Sequence, residues 1–183
     1  MLAYDLAEFQ PDEKKLVRIS TLAEHNFDTP LSEHYVPDPE DSTGYVYHMW
    51  TGQEYFPDGI NIAYDKDKFK DAKWVKCSGR FMYTDYAEHI PHIFTFTIKN
   101  ANGDFIFWKG CKMDNKIGIS DSSCKHANDS LMIQHYEYWR WGEVYFYTKL
   151  PKGLKNGDSI QLDLWSMCKK QIFFDDFKIE LYK

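Results

Sequence analysis

The chain has only four cysteines among its 183 residues, and no two of them form a C-x-x-C pair. That excludes the usual zinc ribbon and the thioredoxin-type redox couple. Long apolar runs are also missing, and a membrane helix needs about 20 such residues, so no membrane span is expected. There is no block of like charge, and the formal net charge is -6. An acidic chain without a basic stripe does not suit a phosphate backbone, so nucleic acid is not an expected partner. No glycine-rich phosphate loop and no G-x-S-x-G elbow occurs in the sequence. Met1 to Asp5 carries neither the basic start nor the apolar core of a secretory signal. Sustained apolar periodicity of 3.6 residues is scarce, which leaves little room for helix.

Aromatic residues are abundant. Tyrosine and phenylalanine each occur 13 times and tryptophan six times, 17% of the chain in total. Such residues favour strands. Period-two alternation then marks the strands one by one. Val75, Cys77, Gly79 and Phe81 alternate with Lys76, Ser78 and Arg80. Phe94, Phe96 and Ile98 share one parity, and Asn102-Gly103 after them signals a hairpin turn. Val144, Phe146 and Thr148 alternate with Tyr145 and Tyr147, and Ile160, Leu162 and Leu164 with Gln161, Asp163 and Trp165.

Residues 29–44, with three prolines and a glycine, read as loop, and Asp65 to Lys73 as a charged connection with one turn of helix. In the last strand the apolar phase slips by one residue at Asp175-Asp176. A slip of one turns a strand's apolar set outward unless a bulge absorbs it, so a kink is expected there. Eight or nine strands with short turns predict an all-β fold, a single two-layer sandwich over residues 16–183 behind a leader at 1–15.

The order of these segments is similar to a known class. Asn26-Phe27-Asp28 precedes the Trp74-Val75-Lys76-Cys77-Ser78-Gly79 strand and the Phe94-Thr95-Phe96-Thr97-Ile98 strand with its hairpin. The strand after Trp141, the Gly157-Asp158 turn and the closing Ile172-Phe173-Phe174-Asp175-Asp176-Phe177 follow. This pattern resembles the jelly-roll β-sandwich of two antiparallel sheets found in galactose-binding-like domains, and among them the carbohydrate-binding modules of glycoside hydrolases. The resemblance implies a non-catalytic glycan-binding or adhesion module that works outside the cytoplasm. It also implies a structural calcium held by an acid after the first strand and an acid of the terminal Asp-Asp pair. The matching positions are Asp28, Asp175 and Asp176, and the class more often has Glu where this chain has Asp28.

Glycan recognition needs aromatic faces for stacking and polar neighbours for hydroxyls. Trp50, Tyr55, Trp108 and Trp139 fall near loops or strand ends and are the stacking candidates, with Arg140 beside them as a hydrogen-bond donor. Trp74, Trp141 and Trp165 fall at strand positions and read as packing residues. No acid is flanked by the Arg, His and Tyr groups that a lyase site gathers, so no enzyme activity is expected. The competing readings are a structural or protein-interaction domain of a larger surface protein, and a jelly-roll enzyme acting on polysaccharide.

Overall fold

The structure, a computed structural model, describes residues 11–40, 42–49, 59–83, 92–112, 141–166 and 171–183. Ten strands run through them. They are β1 (Arg18–His25), β2 (Tyr35–Pro37), β3 (Tyr45–Met49), β4 (Ile60–Ala63), β5 (Trp74–Tyr83), β6 (His92–Lys99), β7 (Phe105–Lys112), β8 (Gly142–Thr148), β9 (Ser159–Ser166) and β10 (Ile172–Tyr182). The sequence reading fell short by one or two because the proline-rich stretch 29–44 contains β2. This three-residue strand pairs Tyr35, Val36 and Pro37 with β3, too short for alternation to reveal. Among the described residues the one α-helical turn, α1 (Lys66–Phe69), lies within the connection expected to hold it, capped by the Asp65 carboxylate accepting from the Asp67 N–H.

Two antiparallel sheets face each other. One runs β4-β9-β6-β7. The other runs β2-β3-β10-β5-β8, with β1 beside the far half of β10. Alternation sends Phe94, Phe96, Ile98, Ile160, Leu162 and Leu164 inward from the first sheet, all fully buried. Val75, Cys77, Phe81, Val144 and Phe146 meet them from the second. Cys77 is a buried small hydrophobe, as its parity indicates, and burial holds its thiol well above the ordinary range.

The expected kink in β10 is a bulge. Pairing with β5 shifts between Asp175 and Lys178, and Asp176 takes φ 53°, in the left-handed region. Residues three apart on a regular strand face opposite sides. The bulge instead places Phe174 and Phe177 on the same side, stacked at 5.2 Å with their planes 18° apart. Phe27, also left-handed at φ 54°, meets both rings edge-on at 5.5 and 5.3 Å. A left-handed non-glycine residue costs about 1–2 kcal/mol, which full burial of the Phe27 ring offsets. Gly79 leaves room for this cluster, because a Cβ there would lie 2.8 Å from the Phe177 ring.

Phe177→Ala should therefore lower unfolding stability by about 3–5 kcal/mol, the usual range for a buried phenylalanine. Lys178→Ala, one residue on and facing outward, should change it by less than about 0.5 kcal/mol. Urea denaturation of the two variants checks the contrast. Equal losses would mean that the bulge does not set the inward face as described.

Candidate functional site

Core packing uses one face of each sheet, so function must draw on the outer faces and edges. The outer face of the four-stranded sheet has a polar floor between two tryptophans. Register sets one row as Asn61, Gln161, Thr97 and Trp108 across β4, β9, β6 and β7. The next row is Asp163, Thr95 and Gly110, and the third is Trp165, Ile93 and Lys112. Thr95 and Thr97 point away from the core yet are only 4% exposed, so the middle of this face lies below its surroundings. The Thr95 hydroxyl donates to the Asp163 carbonyl at 3.2 Å. The Asp163 side chain is buried against Gly59, whose missing Cβ makes the space.

Trp108, one of the stacking candidates, lies on this face. A Cβ on Gly110 would fall 2.5 and 2.8 Å from its ring atoms Cη2 and Cζ2, and 2.6 Å from Ile93 Cγ2. The far edge of the indole therefore occupies the space over Gly110 beside Ile93, and the residue stays partly exposed. A partly exposed indole beside buried hydroxyls and a carboxylate suits a pyranose ring.

Trp165, read from sequence as a packing residue, is 38% exposed on the same face. The two indoles sit on opposite sides of β6, four residues apart in register. By ordinary strand spacings that is about 13 Å along and about 9.5 Å across, enough for an oligosaccharide rather than a single sugar. Alternation had already put Gln161, Asp163 and Trp165 on the face opposite the core. Trp50, Tyr55, Trp139 and Arg140, the remaining binding candidates, lie outside the described residues.

The three acids proposed for metal are grouped around the bulge. Asp175 is 8% exposed, and its Oδ1 accepts from the Asp176 N–H at 2.8 Å. Arg80 Nη1 stands 3.7 Å from Asp175 Oδ2 and 3.5 Å from Asp176 Oδ2. Asp28 is exposed and accepts from Asn26 Nδ2 at 2.7 Å. Burial, then the Asp176 charge, pushes the Asp175 carboxyl up to about 7, with Asp28 adding to the effect and Arg80 opposing it. Hard oxygen donors of this kind suit calcium. Among the described residues no three His, Cys, Asp or Glu side chains gather at one point, so further ligands would have to be backbone carbonyls or water. His92 is buried with its Nδ1 3.0 Å from the Tyr83 hydroxyl.

No family model and no curated protein matches the sequence. Solved structures resemble its fold. The chain is similar to the tandem CBM22-1–CBM22-2 domain of Paenibacillus barcinonensis Xyn10C, at 15% identity and a TM-score of 0.50 over 88% of this chain and 45% of that one. It is also similar to the CBM22-1–GH10 modules of Clostridium thermocellum xylanase 10B, solved with xylohexaose. There the identity is 11% and the TM-score 0.50, over 88% of this chain and 28% of that one. The shared fold is the jelly roll. This chain thus spans less than half of either of those two chains. The CBM22-1 xylan-binding domain of the same Xyn10C aligns at 14% identity and a TM-score of 0.49, over 88% of this chain and 94% of that one. No described helix is long and apolar enough to cross a membrane.

Two outcomes follow from this geometry. Gly110→Ala should lift the Trp108 ring and cost about 1–3 kcal/mol through overpacking, seen as a shift in tryptophan emission together with a lower melting temperature. An unchanged emission spectrum would contradict the placement of the ring over Gly110. The second concerns acid. Between its ordinary value of 3.8 and about 7, the Asp175 carboxyl is protonated when folded and ionised when unfolded. Its contribution to stability is present at low pH and is lost as pH rises through that window. In chelator, Asp175→Asn should flatten the stability profile between pH 4 and 7 relative to the parent, and parallel profiles would contradict the buried placement.

Proposed function

We propose that this domain is a non-catalytic carbohydrate-binding module that acts outside the cytoplasm and holds a polysaccharide chain across the outer face of the four-stranded sheet. The observation that carries this reading is the Trp108 indole held over Gly110, partly exposed, at the end of a polar cross-strand row. Trp108 stacks on one sugar ring and Trp165 on another. Asn61, Gln161 and Asp163 supply donors and acceptors to the hydroxyls between them. The likeness in fold to modules solved from xylanases supports the ligand class, and xylohexaose is the first oligosaccharide to try.

Titration with xylohexaose, cellohexaose and laminarihexaose should give saturable changes in tryptophan fluorescence with at least one of them. Trp108→Ala and Trp165→Ala should each weaken that binding by tenfold or more, since stacking on an indole is worth about 0.5–1.5 kcal/mol beyond the area it buries. Intact affinity in both variants would sink the reading.

We also propose a structural calcium bound through Asp28 and Asp175, with the remaining ligands from backbone and water. The raised Asp175 carboxyl supports it, because a cation there would remove the cost of its charge. Calcium should raise the melting temperature of the parent and not that of Asp175→Asn. A chelator-insensitive melting temperature with no calcium in the dialysed protein would count against the site.

A further inference from the structure

The opposite outer face, on the six-stranded sheet, carries a groove that the function above does not use. It has two neighbouring recesses. The first, of about 300 Å³, is lined by Ser78, Arg80, Trp141, Glu143, Asp176 and Lys178. The second, of about 460 Å³, shares Asp176 and Lys178 and continues past Glu24 and Asn26. Register shows why they adjoin. Glu143 on β8 faces Arg80 on β5, and Ser78 on β5 faces Lys178 on β10, which faces Glu24 on β1. The groove thus crosses four adjacent strands, about 14 Å at ordinary spacing. The bulge at Asp176 turns that carboxylate into it, half-exposed, instead of leaving a regular strand surface.

Arg80 is the centre of the first recess, and the fold holds it in place. Its guanidinium lies 4.8 Å from the centre of the Trp141 ring. Trp141 is itself anchored, with Nε1 donating to the buried Asp38 at 3.3 Å and the ring packed against Val46, Met82 and Phe173. The indole serves as a mount for the guanidinium rather than as an open platform.

Among the described residues, the ion pairs along the groove are long. Arg80 stands 3.7 and 3.5 Å from Asp175 and Asp176, Lys178 stands 3.8 Å from Glu24, and Lys76 stands 3.8 Å from Glu143. A tight charge-assisted pair closes to about 2.7–2.9 Å. These cations and carboxylates therefore keep hydrogen-bonding capacity that protein partners leave unfilled.

Alternating charge decides the kind of ligand. A polyanion would meet Glu24, Glu143 and Asp176, and a polycation would meet Arg80 and Lys178. A sugar hydroxyl accepts from a guanidinium or ammonium while donating to a carboxylate, so a row of both signs suits a chain of hydroxyls without net charge. We propose that this groove is a second binding site, for a neutral oligosaccharide, on the face opposite Trp108, which makes the domain bivalent. The saccharide class rests on the function proposed above, whereas the groove does not.

Isothermal titration with xylohexaose, cellohexaose and laminarihexaose tests it on the parent, Trp108→Ala, Arg80→Gln and Lys178→Ala. The expected result is two sites per chain for one of these probes. Trp108→Ala should reduce them to one, Arg80→Gln should reduce them to the other one, and Lys178→Ala should weaken the Arg80-dependent site by threefold or more. Lys178 lines both recesses and lies outside the apolar core, so its variant tests the groove even if Arg80→Gln melts early. One site that Trp108→Ala removes and the Arg80 and Lys178 variants leave intact overturns the groove and leaves the first face standing. One site lost only with Arg80 and Lys178 supports the groove and overturns the first face. No heat with any probe overturns both.

Discussion

The bulge at Asp175-Asp176 is the constraint on which the rest depends. It lets one strand, β10, serve as the spine of the larger sheet with two different neighbours. Its first half pairs with β3 and its second with β1, while β5 runs along both. It also keeps the apolar face turned inward through the change, so that Phe174 and Phe177 both reach the core and stack. Phe81 and Phe94 complete that cluster from the two sheets, at 5.7 and 5.0 Å from Phe177. The same one-residue insertion turns Asp176 to the surface and leaves Asp175 close beneath it, beside Arg80. A packing solution on one side of the strand therefore creates an electrostatic problem on the other.

The two outer faces answer different demands. The four-stranded sheet keeps its outer centre low, with threonines and glycines under flanking tryptophans. Glycine at 110 is required by close approach, since any side chain there would enter the space of the Trp108 ring. The six-stranded sheet instead carries a small second apolar cluster of Val46, Met82 and Phe173, with His48 stacked on Phe173 at 4.3 Å. Beyond Trp141 that cluster gives way to charged side chains of both signs. Ring faces dominate the first surface and hydrogen-bonding groups the second, although both are built on the same alternation of residues.

Much of the fold was legible because alternation is a direct record of burial. Ile160, Leu162 and Leu164, or Phe94, Phe96 and Ile98, could face only one way, and the phase slip in β10 pointed to its own bulge. The Asn100–Asp104 turn was equally plain, and Asn100 Oδ1 does accept from the N–H groups of Asn102 and Asp104. Strand β2 escaped because three residues among prolines carry no period. The site was harder to see for a physical reason. Parity says that Trp108 and Trp165 oppose the core, but not that β7 and β9 lie on either side of β6, which only the pairing order reveals. A tryptophan in a strong strand usually finds full cover, and more than a third of Trp165 stays open. Arg80 and Trp141 are far apart in sequence, and their contact arises only from the β5–β8 register.

The most direct test of the account is to follow the six indole N–H resonances while xylohexaose is added to the labelled protein. The Trp108 and Trp165 signals should move together and saturate, with Trp74, on a strand of the other sheet, unmoved. If the Trp108 and Trp165 signals stay in place while the protein demonstrably binds the sugar, the outer face of the four-stranded sheet is not the binding surface.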